Sequence, residues 1–207
     1  MSPTTSGALS MAAFVTCNSN RRSLFGSPRQ REAPTRNYEF MLSFTLPHRD
    51  DEPEHYLDAL YEAGCDDASV GVGRHGMIGL DFTRQAESAE AALGSAIRDV
   101  CQAIPGATLV QAGPDLVGLT DMAAIFGFSR QNMRKYATGQ AATREAFPPP
   151  TVSGDPSLWH LAEIAAWLRQ NTNIRPSADL CAVAKATAKI NFEVERQRLE
   201  KILEPGE

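Results

Sequence analysis

The 207-residue chain carries 20 Lys and Arg against 25 Asp and Glu, a formal net charge of −5. That sign excludes a general nucleic-acid coat or a binder of anionic membrane surfaces, both of which need a basic chain. With 43% hydrophobic and 22% charged residues, the chain is neither wholly disordered nor fibrous, and its length suits one large or two small domains.

The charge is unevenly spread. Residues 1–37 hold five Arg and only Glu32, with abundant Ser, Thr, Pro and Asn and no apolar periodicity, so they read as a disordered basic tail. From Tyr38, apolar residues alternate through Phe40, Leu42, Phe44 and Leu46, which predicts a strand over 38–46 ended by Pro47. Pro53 opens a predicted helix over 54–63, stopped by Gly64. Two short strands, 68–72 and 77–82, flank the turn Gly73-Arg74-His75-Gly76, and a long helix over 86–103 leads to a strand at 107–111. This β-α-β-β-α-β order is that of a ferredoxin-like split βαβ sandwich, assigned to residues 38–113. Residues 38–115 hold four Arg against fourteen acidic residues, so the acidity belongs to this segment.

Gly113-Pro114 reads as a hinge into a second unit, 114–172, with helices predicted at 120–126, 129–137 and 160–170 and a Pro-rich extended segment at 147–159. In the stretch 119–136, Thr120 is suited to N-cap the first helix, and Met122, Ala123 and Phe126 form its inward face. Gly127 turns the chain where a Cβ at positive φ would be costly, and Ser129 caps the second helix. Met133 and Tyr136 point back to the core, leaving Ser129, Arg130, Gln131, Asn132, Arg134 and Lys135 as a polar outer face. A further helix over 177–203 places Leu180, Val183, Thr187, Ile190 and Val194 at 3–4 spacing, an incomplete seam that suggests dimerisation through residues 173–207, with the ferredoxin-like domain as the other element suited to hold a dimer.

The stretch resembles a helix-turn-helix. Ala123 stands at the helix contact, Gly follows four later, and Met133 and Tyr136 lie six and nine beyond that Gly. With Phe147-Pro148-Pro149-Pro150, the polar tip Ser153-Gly154-Asp155-Pro156 and the run Leu158–Leu168, residues 116–170 look like an excisionase-type or MerR-like winged helix-turn-helix. The tip departs from that pattern in carrying no Arg or Lys. The resemblance implies a second helix lying in the major groove of double-stranded DNA. Arg130, Gln131, Asn132 and Arg134 would then read bases, with Arg suited to guanine and Asn or Gln to adenine. Ser129, Lys135 and Arg144 would hold phosphates.

Other signals are discounted. Gly71–Gly76 spells G-x-G-x-x-G, but a dinucleotide loop must open a helix, and a strand is predicted after it. The acids and histidines of 48–55 suit a helix start, so no metal and no cofactor are expected. Four scattered cysteines predict reduced thiols, and no apolar run approaches the ~18 residues of a membrane span, so a cytoplasmic protein is expected. The expectation is therefore an α+β, non-enzymatic, sequence-specific transcriptional regulator that binds DNA as a homodimer. Its alternative is an antitoxin-like or phage-repressor-like adaptor whose acidic residues 38–115 bind a partner protein.

Overall fold

The computed structural model describes residues 35–204, so most of the predicted basic tail lies outside the described residues. The fold is mixed α+β, with an antiparallel four-stranded sheet ordered β2-β3-β1-β4 and a small two-stranded sheet. Strand β1 is Arg36–Thr45, β2 is Ala68–Arg74, β3 is Met77–Ala86 and β4 is Thr108–Gly113. A 3-10 turn Pro53–Tyr56 leads into helix α1, Leu57–Glu62, and α2 is Ala89–Ala103. The expected single helix at 54–63 is thus divided.

Alternation in β1 buries Tyr38, Phe40, Leu42 and Phe44 on one face, against Leu80, Phe82, Leu93, Ile97 and Val100. The strand starts two residues before the sequence reading has it: Arg36 pairs with Ala86 and its guanidinium bonds Asp179 at 3.0 Å. Strand β3 outruns its expected end at 82 because Arg84 occupies an inward position. Its guanidinium is satisfied there by Asp67 at 2.8 Å, by Asp99, by Ser95 and by the Gly64 carbonyl. A polar triplet hides such a position from a hydrophobic pattern, because the charge is buried only by virtue of its distant partners. The β2–β3 hairpin turns on His75-Gly76, with Arg74 paired to Met77. Gly76 has φ +70°, and a Cβ there would lie 2.7 Å from the Arg49 carbonyl oxygen. A strand follows this glycine run, as read from sequence.

Helix α2 begins where the Ser88 hydroxyl accepts the Ala91 N–H at 3.1 Å, three residues after the expected start. Among the described residues, Cys65 and Cys181 are free thiols.

The second unit comprises β5, Leu116–Val117; α3, Leu119–Phe126; α4, Arg130–Ala137; β6, Trp159–His160; and α5, Leu161–Asn171. Its core gathers Met122, Ala123, Met133, Leu161, Ile164, Trp167 and Leu168. Helix α6, Ala178–Leu203, joins both cores: Val183, Ala186 and Ile190 pack with the large sheet, while Ala184 and Leu180 pack with the second unit. The seam expected to hold a dimer is therefore occupied within the chain, because the same apolar spacing serves a cis contact equally well.

The expected hinge at Gly113-Pro114 is likewise secured by α6. Thr187 donates its hydroxyl to the Pro114 carbonyl at 2.8 Å. Asn191 bonds both the N–H and the carbonyl of Ala112 at 2.8 Å and donates to Asp115 Oδ2 at 2.8 Å. Asp115 is almost wholly buried, and its other oxygen lies 2.7 Å from His160 Nδ1. Three polar side chains, Asn191, Asp115 and His160, thus bond in series where the two units join, and Thr187 bonds the backbone beside them, which offsets the cost of burying Asp115.

Candidate nucleic-acid interface

Helix α3 is capped differently from the sequence expectation. Gly118 occupies the N-cap, its N–H donating to Asp121 Oδ2 at 3.0 Å, while Thr120 lies exposed inside the first turn. The carboxylate at the third helical position bonds the cap residue's own N–H, and with the helix begun at Leu119 the cap position does not fall on Thr120. Met122 and Ala123 are buried as predicted, and Phe126 is half-buried. The helix ends at Gly127, φ +71°, with the Phe128 N–H donating to the Ala123 carbonyl at 2.7 Å and the Gly127 N–H to Ala124 at 3.4 Å. These are the paired bonds of a Schellman stop, which needs a left-handed residue at that point.

Two residues later the Ser129 hydroxyl accepts the Asn132 N–H at 3.2 Å and starts α4. An eight-residue helix is marginal by itself, so its stability has to come from tertiary contacts. Met133 supplies one, fully buried against the core, and Tyr136 another, edge-on to Trp167 with ring centroids 5.6 Å apart. Their burial turns the opposite face outward.

That outer face holds four of the seven predicted contact residues as freely exposed side chains: Arg130, Gln131, Arg134 and Lys135. Ser129 is exposed but its hydroxyl is engaged by the cap, and Asn132 is half-buried. Arg144 is exposed on the segment after α4, whose neighbour Glu145 is fastened to Asn171 at the end of α5. Among the described residues, Arg130, Arg134, Lys135 and Arg144 form no ion pair, whereas Arg84 and Arg196 are each neutralised by two carboxylates. Three cations on one short helix, without internal partners, leave their charge for an external anion.

The extended segment before β6 is anchored by aromatic contacts. Phe147 lies edge-on to Trp159 and Trp167, with centroids 6.0 and 4.9 Å away. The indole N–H of Trp159 donates to the Pro148 carbonyl at 2.9 Å, and that of Trp167 to Ala146 at 2.8 Å. Both tryptophans are therefore packing residues. Val152 and Leu158 then exchange two backbone bonds of 3.1 and 3.0 Å, closing a ribbon whose tip, 153–156, is exposed. The chain returns as β6, pairing His160 with Leu116 and Trp159 with Val117. Ribbon and α4 thus belong to the same small core. The ribbon tip has no cation, so the positive charge of this surface rests on α4.

Among the described residues, no group of three or more His, Cys, Asp or Glu is disposed to hold a metal, and no helix is long and apolar enough to cross a membrane. In comparisons with known proteins, no family model, no curated protein and no solved structure matches the chain.

Proposed function

We propose that this protein is a sequence-specific reader of double-stranded DNA, a transcriptional regulator without catalytic activity, acting as a homodimer. In this reading, α3 and α4 are a helix-turn-helix, the ribbon 151–158 is its wing, and the βαββαβ unit before it is a ferredoxin-like domain. The carrying observation is the outer face of α4: exposed Arg130, Gln131, Arg134 and Lys135, the cations unpaired, on a helix whose other face is pinned by Met133. Such a helix fits the major groove, where Arg130 and Arg134 would meet guanine edges and Gln131 an adenine. Lys135 and Arg144 would contribute phosphate contacts, which fix position rather than sequence. Ser129 would offer its hydroxyl from the cap, and half-buried Asn132 would reach a base only at the rim of the contact. The strand order β2-β3-β1-β4 with two crossover helices supports the ferredoxin-like assignment.

The test is selection of a binding sequence from random duplexes, followed by fluorescence-anisotropy titration of Arg130→Ala/Arg134→Ala. Specific affinity should fall by about 2–6 kcal/mol, taking ~1–3 kcal/mol for each base contact, with the circular dichroism spectrum unchanged. Undiminished affinity in that variant, or no selected sequence, would overturn the reading.

A further inference from the structure

Helix α6 is apolar on two faces, and only one is covered. The buried stripe ends at Ile190, and no residue of the helix beyond it is buried. Two positions on, about 200° round the helix, stands Phe192, 71% exposed. Leu199, seven residues later, and Leu203, four after that, share its side of the helix, with Ile202 adjoining. Leu199 is 44% exposed, Ile202 68% and Leu203 76%. Four large apolar side chains thus project, within twelve residues, from the outer side of a helix whose inner side still packs on the sheet core at Val194.

We propose that this outward face, Phe192 to Leu203, is a two-fold contact surface for a second copy of the chain. Two observations select that occupant. The first is area. At those exposures the four side chains present on the order of 400 Å² of apolar surface, while a standard interface takes about 800 Å² from each partner, a little over half non-polar. The second is charge. Residues 192–203 contain Glu193, Glu195 and Glu200 against Arg196, Arg198 and Lys201, a balance of three and three. Arg196 is already bonded to Glu193 and Glu200 on its own helix. A surface without net charge does not repel its own copy, and it offers no electrostatic handle to a strongly acidic or basic partner. In a two-fold contact each apolar residue meets the same patch on the other chain, so one stripe serves both partners.

This inference gives the DNA-reading proposal its means of engaging two half-sites, and for that consequence alone it rests on that reading. The experiment is sedimentation equilibrium of the full chain across the micromolar range, beside Phe192→Glu, Leu199→Glu and Ile202→Glu. Wild type should sediment at twice its 22.5 kDa mass. Each substitution should raise the dimer dissociation constant roughly 100-fold, with unchanged circular dichroism because the side chain replaced is exposed. A wild-type chain that stays monomeric would overturn the proposal. So would a dimer indifferent to all three substitutions, or a foreign protein held at this stripe in place of a second copy. The DNA reading is scored separately: a dimer that selects no DNA sequence sinks that reading alone, and a monomer that binds a selected sequence sinks this one alone.

Discussion

Cys65 and Cys181 are both free thiols, but their surroundings give them different chemistry. Burial is the largest influence on Cys65 and pushes its pKa from 9.0 up to about 11, with Arg84 opposing the shift and Asp99 and Asp67 adding to it. At pH 8 only about one such thiol in a thousand is ionised, and the thiolate is the reactive form. Alkylation of the native protein should therefore label half-buried Cys181 well before Cys65, read by peptide mass spectrometry. The same shift has a consequence for stability. The unfolded thiol ionises above pH 9 and the folded one only towards 11, so between these values the unfolded chain binds fewer protons. Stability from this group is complete below pH 9 and is lost as pH rises through 11. Cys65→Ala should remove that share of the alkaline slope, measured by urea titration at successive pH values. Equal labelling of the two thiols would contradict this account.

At the scale of elements, the pair α3–α4 was readable because its determinants are local. Gly127 and Ser129 act within a few residues of themselves, and Met133 and Tyr136 follow the helical period. The exposed cations then had nowhere to go but outward. Thr120 has the residue type of a cap, but the helix begins at Leu119 with Gly118 as its cap and Asp121 accepting the Gly118 N–H, and spacing alone does not rank the two starts. The extension of β3 through Arg84 was unreadable, since it depends on Asp67 and Asp99, 17 and 15 residues away. The clamp of Asp115 by His160 and Asn191 was unreadable for the same reason, over separations of 45 and 76 residues. On α6, the covered stripe was recognised as apolar, but spacing could not say whether its partner was another chain or this one. One prediction belongs here. Met133 is the fully buried anchor of an eight-residue helix, so Met133→Ala should cost about 2–5 kcal/mol in urea unfolding. A cost near zero would mean that α4 is held by something other than that contact.

For the whole molecule, the sharing of α6 decides how the two units behave. Val183, Ala186 and Ile190 close one core while Ala184 and Leu180 close the other, and Asn191 bonds the strand end that joins them. Separate unfolding would require one unit to lose a helix that the other still holds. The chain should therefore unfold in a single transition. Its two tryptophans, Trp159 and Trp167, both lie in the second core, so their fluorescence reports that unit, whereas far-ultraviolet dichroism reports all of it. The two signals should trace coincident urea curves. A fluorescence change preceding the dichroism change would show that the units part company. The charge distribution acts at this scale too. If α4 reads DNA as proposed, the acidic surplus of the sheet unit would weaken attraction to arbitrary duplexes and make affinity depend on the correct bases.

The bonding of α6 also bears on how the chain is made. A ribosome releases the sheet first, then the helix pair, and only afterwards the residues from Val183 to Asn191 that complete both. Until those emerge, the far edge of β4 at Ala112 and the carboxylate of Asp115 lack their Asn191 partner, and neither nascent unit has its full set of neighbours. Completion of both cores is thus deferred until nearly all of the described chain has been synthesised. A chain ended before Val183 would leave both units without their common closure and expose the apolar residues that α6 covers, so it should be cut faster than the full chain in limited proteolysis.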